Sequence, residues 1–250
     1  MTKFSFVLAT NRNDKQFQIA LDSCIQQDFQ DYEIIVVMNG MTRRDYSEIV
    51  TRYSDLNVQF LISEFYSLSM ALNLGVIRSS GTYIVRMDAD DVSLKTRLSD
   101  IDQHIKDDIN DLVKVIYSDF DFIDANNVER KNQRSIGNLR HIYYRNVICH
   151  PTTVIRRDAL LEIGGYFGPL YAEDYDLWIR IFLKHGDAAF SYLDKKCLFY
   201  RTLSAGEARA SKISYFGAAS SQFLAFLRTL NPKWFVGSLF SLLKGVLLGK

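Results

Sequence analysis

A chain of 250 residues is long enough for one large domain or two small ones. Its 48% hydrophobic and 24% charged residues exclude a disordered or fibrous protein. Thirty basic against twenty-nine acidic residues leave a net charge of +1, so no global electrostatic grip on nucleic acid is expected.

The three cysteines, Cys24, Cys149 and Cys197, stand far apart without a CxxC pair. That usage points to a reducing cytoplasm rather than a disulfide framework. Phe4 to Ala9 is too short for the apolar core of a signal peptide, and no stretch reaches the roughly eighteen uncharged apolar residues of a spanning helix.

Phe4 to Ala9 reads as a buried strand, short and apolar between polar flanks. After Asp14, residues Phe17, Ala20, Leu21, Cys24 and Ile25 recur at three- and four-residue spacing, the mark of an amphipathic helix. Glu33 to Met38 predicts a second strand closed by Asn39-Gly40. A short helix near Arg43 to Tyr53, a strand at Val58 to Ile62, a helix from Ser67 to Arg78 and a strand at Tyr83 to Met87 follow. This alternation predicts an α/β fold, a mainly parallel sheet flanked by helices. Right-handed crossovers bring the strands' C-terminal ends to one edge, where ligands of open α/β sheets bind. Thr10, Asn11, Asn39, Asp88 and Asp90 gather there.

The second half is less regular. Leu94 to Asp107 predicts a helix that Asp91 or Ser93 would cap, and Val113 to Tyr117 a strand. Phe120 to Ile123 and Val128 to Lys131 flank Asp124-Ala125-Asn126-Asn127 as a hairpin. Thr152 to Ile155 reads as a short strand, and Asp158 as the cap of a helix ending at Gly164-Gly165. Asp174 to His185 predicts a helix with Leu177, Trp178, Ile181 and Phe182 on its apolar face. With no Gly/Ser-rich linker, residues 1–205 read as one catalytic domain and 206–250 as a C-terminal helical appendage.

Asp88-Ala89-Asp90-Asp91 follows the fourth predicted strand. Three carboxylates in four residues repel one another unless a cation or donor sits among them. A hard cation such as Mg²⁺ or Mn²⁺ takes one or two carboxylates and fills its remaining positions with phosphate oxygens and water. A solvated turn that caps the next helix is the plainer alternative.

Several segments together resemble the inverting GT-A glycosyltransferases of family 2. They are Phe4 to Thr10, Ile34 to Gly40, Ala71-Leu72-Asn73-Leu74-Gly75 and Ser80-Gly81-Thr82-Tyr83-Ile84. Asp88-Ala89-Asp90-Asp91 then matches that family's DxD motif. His150-Pro151-Thr152, Gly164-Gly165-Tyr166 and Glu173-Asp174-Tyr175-Asp176-Leu177-Trp178 continue the match in order, over residues 3 to 201.

The resemblance implies a GT-A-like, Rossmann-like domain that holds a nucleotide-diphospho-sugar at the sheet edge and transfers its sugar to an acceptor hydroxyl. It puts Ala9, Thr10, Asn39, Asp88, Ala89 and His150 at the donor, with Asp90 and Asp88 at a metal that bridges the diphosphate. A cation there would stabilise charge growing on the leaving phosphate. Met38-Asn39 stands where family members often have an acidic pair, and Leu72 where many have arginine, so the identity of the nucleotide stays open.

In the same family an acid of the Glu173-Asp174 pair takes the proton from the acceptor hydroxyl. A sugar hydroxyl is a poor nucleophile at neutral pH, so a positioned carboxylate is needed. Asp174 is the expected base and Glu173 the runner-up. Locally the pair also reads as acids favoured in a first helical turn. Asp176 is expected on the helix surface and Trp178 in the core. His150 beside a turn also reads as a structural histidine. The basic run Arg130, Lys131, Arg134, Arg140 and Arg145 is a solvated face or a loop that meets phosphate.

Two rivals remain at this point. Asp88 to Val92 satisfies the D-x-D-x-V motif of haloacid-dehalogenase-type phosphatases, although that motif belongs after a first strand. A catalytically inactive nucleotide-sugar-binding protein would share the donor residues.

From Ala208 to Lys250 there is no acid, against six basic residues and many large apolar ones, and Asn231-Pro232 divides the stretch into two helical patterns. It reads either as a hairpin covering the core or as a helix in the interface of an anionic membrane, with Trp234 and Phe235 buried in lipid. The second reading makes the protein peripheral at the cytoplasmic face, where a glycan or lipid-linked acceptor for surface polysaccharide synthesis would lie.

Overall fold

The computed structural model describes residues 2–108, 110–131, 138–167, 171–202 and 212–247. Four strands alternating with three helices open the chain. They comprise β1 (Phe4–Thr10), α1 (Lys15–Ile25), β2 (Tyr32–Asn39), α2 (Arg43–Arg52), β3 (Val58–Ser63), α3 (Leu68–Arg78) and β4 (Tyr83–Asp88). Asp14, Thr42 and Ser67 cap the three helices through their side-chain oxygens, which accept from backbone N–H groups three residues on. The rest runs β5 (Val92–Ser93), α4 (Arg97–Lys106), β6 (Val115–Ile123), β7 (Glu129–Arg130), β8 (Val154–Arg156), α5 (Arg157–Glu162), α6 (Glu173–His185), β9 (Phe190–Arg201), α7 (Lys212–Thr229) and α8 (Pro232–Leu247).

One sheet runs in the order β3-β2-β1-β4-β8-β6-β9-β5, with β7 paired to β6. The first four strands are parallel, as the alternation predicts, and β8 joins antiparallel between β4 and β6. Ala9 lies level with Val37 on one side and Asp88 on the other, and Asn39 with Ser63. The C-terminal ends of β1, β2 and β4 therefore share one edge. One face of the sheet packs Phe6, Leu8, Phe17, Leu21, Val36 and Met87 with α1 and α4. The other face packs Val7, Leu72, Ile155, Leu177 and Trp178 with α3 and α6.

The second half departs from expectation where long-range pairing overrides local pattern. The two strands expected at Val113–Tyr117 and Phe120–Ile123 are one, β6, with irregular register at Asp119, and Asp124 closes the turn to β7. β9 was not anticipated. Asp194-Lys195-Lys196 breaks its apolar alternation, yet it pairs in parallel along all of β6.

Neither Asp91 nor Ser93 caps a helix. Val92-Ser93 pairs with β9, and α4 starts three residues later than expected. Asp158 lies inside the first turn of α5, bound to Arg156, rather than at its cap.

The boundary expected at 205/206 and Arg134 lie outside the described residues. α7 and α8 form an antiparallel hairpin, and its inner face packs on α6. Trp234 is a correction: it is buried in protein rather than in lipid, its ring 4.6 Å from Tyr143 and 6.2 Å from Phe182. Among the described residues no helix is long and apolar enough to cross a membrane.

Candidate active site

The carboxylates of Asp88, Asp90 and Asp91 each offer an oxygen within 4.8 Å of the others, close enough to hold one cation. Their neighbours are guanidinium groups. Arg86, 1% exposed within β4, donates to the Asp88 carboxylate. Burial opposes the charge of Arg86, but Asp88, Tyr166 and Glu173 outweigh it and hold its pKa above the usual value.

Arg201, at the end of β9, donates its backbone N–H to Asp91 Oδ1 (2.8 Å). Its side chain donates to the Asp90 carbonyl (2.6 Å), the Asp124 carbonyl (2.8 Å) and Asn127 Oδ1 (2.9 Å). This clamp fixes the backbone of the acidic turn. Arg12 lies 3.9 Å from Asp90. Hard oxygens at the end of a rigid strand suit Mg²⁺ or Mn²⁺, and the arginines balance their charge.

Beside the cluster a cavity of about 850 Å³ opens at the sheet edge, lined by Ala9, Asn11, Asn39, Tyr66, Tyr166 and Glu173 among others. Asn39 Oδ1 accepts from the Ser67 N–H (2.9 Å), and Asn11 donates to the Tyr66 hydroxyl (2.7 Å). These bonds join β1, β2 and the start of α3 into one wall. Thr10 lies behind it, 2% exposed, its hydroxyl donating to the Arg12 carbonyl.

The opposite wall depends on Asn73, whose amide donates to the Tyr166 carbonyl and accepts from its N–H, both at 2.8 Å. Gly165 allows that approach: its φ is +79°, and a Cβ there would collide with the Asn73 side chain. Two motifs read separately in the sequence thus meet as one clamp.

His150 is 8% exposed, packed against Trp178 and bonded to the Tyr166 hydroxyl (3.2 Å), and it is not among the residues that line the cavity. Burial and the charge of Arg86 drive its pKa well below the usual value, so the imidazole is neutral at pH 7. Tyr166 is the residue that reaches the cavity.

α6 begins after Ala172, a non-glycine residue with φ of +70°, a strained turn that sets Glu173 on the cavity wall with Asp174 next to it. Burial and the neighbouring Asp174 push the Glu173 pKa up to about 7, against the pull of Arg86. Burial also raises Asp174. It is opposed by bonds to both oxygens, from the Tyr175 N–H to Oδ1 and from Asn146 Nδ2 to Oδ2, each 2.7 Å. The charge of Asp88, at the end of β4, adds a smaller upward push to both acids. Asp176 pairs with Arg180 (2.7 Å), which also ties the Ile163 and Gly165 carbonyls. Trp178 lies in the core at 1% exposure.

Sequence reading missed Arg86, Arg201 and Asn146. A lone arginine inside the apolar run Tyr83 to Met87 was a usable signal, because a buried guanidinium demands a carboxylate partner.

A GT-A-like sheet, an acidic cluster at its edge and a second acidic pair facing it define the class. The chain belongs to glycosyl transferase family 2, whose family model matches residues 5–164. It is therefore a glycosyltransferase that uses a nucleotide-sugar donor, and the phosphatase reading falls.

It is 30% identical to the O-antigen biosynthesis glycosyltransferase WbnJ of Escherichia coli, over 97% of this chain and 96% of that one. It is 27% identical to the amylovoran biosynthesis glycosyltransferase AmsE of Erwinia amylovora, over 71% and 69%. Staphylococcus aureus TarS, solved in complex with UDP-GlcNAc, shares the fold with a TM-score of 0.69 at 21% identity, over 92% of this chain and 67% of that one.

Proposed function

We propose that this glycosyltransferase moves a hexose, with inversion, from a nucleoside-diphosphate sugar to a hydroxyl of a lipid-linked saccharide in the assembly of a cell-surface glycan. The observation that carries this reading is the cluster of Asp88, Asp90 and Asp91 at the end of β4, level with Ala9 on the wall of the cavity that Glu173 also lines. The names of WbnJ and AmsE, both tied to surface polysaccharides, support the acceptor class.

Ala9, Asn39 and Ala89 border the nucleotide in this reading, and Asp88 and Asp90 hold Mg²⁺ or Mn²⁺. The ion, when bound, supplies positive charge to the leaving diphosphate. Asp174 accepts the proton of the acceptor hydroxyl while that oxygen bonds to the anomeric carbon. The bond from that carbon to the diphosphate oxygen breaks on the opposite face, and its electron pair leaves with the nucleoside diphosphate. Asn146 and the Tyr175 N–H hold both Asp174 oxygens, so the base is oriented before the acceptor arrives. Glu173 is the second candidate base, favoured by its place on the cavity wall and its pKa of about 7.

The outer face of the α7–α8 hairpin exposes Leu224, Leu227, Phe240, Leu243, Val246 and Leu247. Its charges are Lys212, Arg228, Lys233 and Lys244, with no acid. This surface fits an anionic bilayer at the cytoplasmic face, where a lipid-linked acceptor is within reach.

The test is a thermal-shift screen of UDP- and GDP-sugars with Mn²⁺, followed by turnover of the donor that stabilises the protein. Loss of turnover in Asp174→Asn with donor binding intact is the expected result. Normal turnover in that variant together with loss in Glu173→Gln moves the base by one residue.

A further inference from the structure

The C-terminal hairpin does more than cover the core. Gln222 on α7 is fully buried, and each part of its amide is engaged. Nε2 donates to the Tyr143 carbonyl (3.0 Å) and to the Tyr175 hydroxyl (2.9 Å), while Oε1 accepts from Ser241 Oγ on α8 (2.7 Å). The Tyr175 hydroxyl in turn donates to the Ile142 carbonyl (2.5 Å). α8 presses on the same segment at Gly237, where a Cβ would collide with the Tyr143 carbonyl and the Gln222 amide. The Tyr143 ring is held by Trp234.

Three residues beyond Tyr143 stands Asn146. Its Oδ1 accepts from the Ile148 N–H (3.2 Å), which fixes the amide so that Nδ2 faces Asp174 Oδ2. Tyr175, the other residue that Gln222 grips, donates its backbone N–H to Asp174 Oδ1. Both hydrogen bonds that orient the Asp174 carboxylate therefore come from groups anchored to the hairpin. A buried polar network with every member satisfied fixes one arrangement, and a partly satisfied one does not.

We infer that the hairpin is a positioning element of the active site: Gln222 fixes residues 142–146 and Tyr175, and Asn146 thereby holds Asp174 in its reacting orientation. The inference rests on the reading of Asp174 as the base. A base displaced by about 1 Å can cost 10²-fold in rate without touching donor binding.

The experiment is a double-mutant cycle on the full chain. It measures nucleoside diphosphate release from whichever of UDP-galactose or UDP-N-acetylglucosamine raises the Tm, with Asp174→Asn in parallel. Asn146→Ala should lower kcat about 10–100-fold, and Gln222→Leu about 5–30-fold, each with donor KM within about two-fold of the parent. In the Asn146→Ala background, Gln222→Leu should cost less than it does in the parent, because one of the two contacts it positions is already gone.

If Gln222→Leu does not fold, Ser241→Ala removes only the hydroxyl that holds the Gln222 amide and should lower kcat about 2–5-fold. Ser220→Ala, exposed on α7 with its hydroxyl bonded to the Phe216 carbonyl of its own helix, is the control and should leave kcat unchanged. Additive losses, or parental kcat in Asn146→Ala or in both hairpin variants while Asp174→Asn is inactive, overturn the positioning role. Near-normal turnover of Asp174→Asn itself overturns the base reading, and the inference falls with it.

Discussion

The two acidic groups of the active site are built on opposite terms. At the end of β4 and in the turn after it, Asp88, Asp90 and Asp91 lie among Arg86, Arg201 and Arg12, with a buried guanidinium bonded to the first and a clamp holding the turn. On α6, Glu173 and Asp174 have neutral hydrogen-bond donors and burial instead, and their pKa values rise. In the proposed reading, carboxylates interleaved with guanidinium groups form the rim that would take a diphosphate together with a cation. Carboxylates whose proton affinity is raised by burial at a helix terminus are suited to take up a proton. Charge density alone does not separate these roles; the sign of the neighbours does.

That contrast can be broken most directly at Asp174. Asp174→Asn keeps the shape and removes the basic oxygen, so kcat should fall by roughly 10²–10⁴ while donor affinity in a binding titration changes less than about two-fold. Next in size is Arg86→Leu, which strips the buried cation from Asp88. A urea titration should show a loss of about 2–4 kcal/mol, less than a fully buried pair because Asp88 is partly exposed. An unchanged midpoint would mean that solvent already screens Asp88.

At the metal, Asp90→Asn or excess chelator should weaken UDP binding about tenfold, read by calorimetry with and without Mn²⁺. Equal affinity in both buffers would remove the cation from the rim.

A smaller effect sharpens the other side. The Glu173 pKa is raised in the folded state, so the stability tied to its protonated form is present below about pH 4.5 and is lost as pH rises through about 7. With chelator present, Glu173→Gln should melt with the parent near pH 4 and about 2–5 °C above it at pH 8. A constant difference across that range would show that burial does not perturb the carboxyl.

The smallest effect concerns the outer face of the hairpin. The chain should co-sediment with phosphatidylglycerol vesicles in a salt-sensitive manner, and Lys244→Ala should weaken binding by about 1 kcal/mol, roughly five-fold. Retention that ignores both salt and Lys244 would exclude an electrostatic component.

Legibility followed the distance over which each feature is encoded. Strands β1 to β4 and their helices were readable because periodicity and caps lie within about ten residues of one another, while Asp88, Glu173 and Asp174 became candidates only through the family resemblance, since locally they also read as turn and helix-start acids. What surrounds them did not follow. Arg201 meets Asp91 across 110 residues, and Gln222 meets Tyr143 across 79. β9 broke its own alternation yet paired along β6, because its register is set by a partner far back in the chain.

By itself the sequence determined the parallel half of the sheet, the edge at which its polar strand ends collect, and the two acidic motifs. Tertiary structure decided what those acids can do. It bonded a buried Arg86 to one set and only neutral donors to the other, packed His150 against Trp178, and turned Trp234 inward against the segment that carries Asn146. The physical reason is that a carboxylate's proton affinity is set by burial and by the charges and donors within a few ångströms, and folding brings those neighbours together from distant parts of the chain.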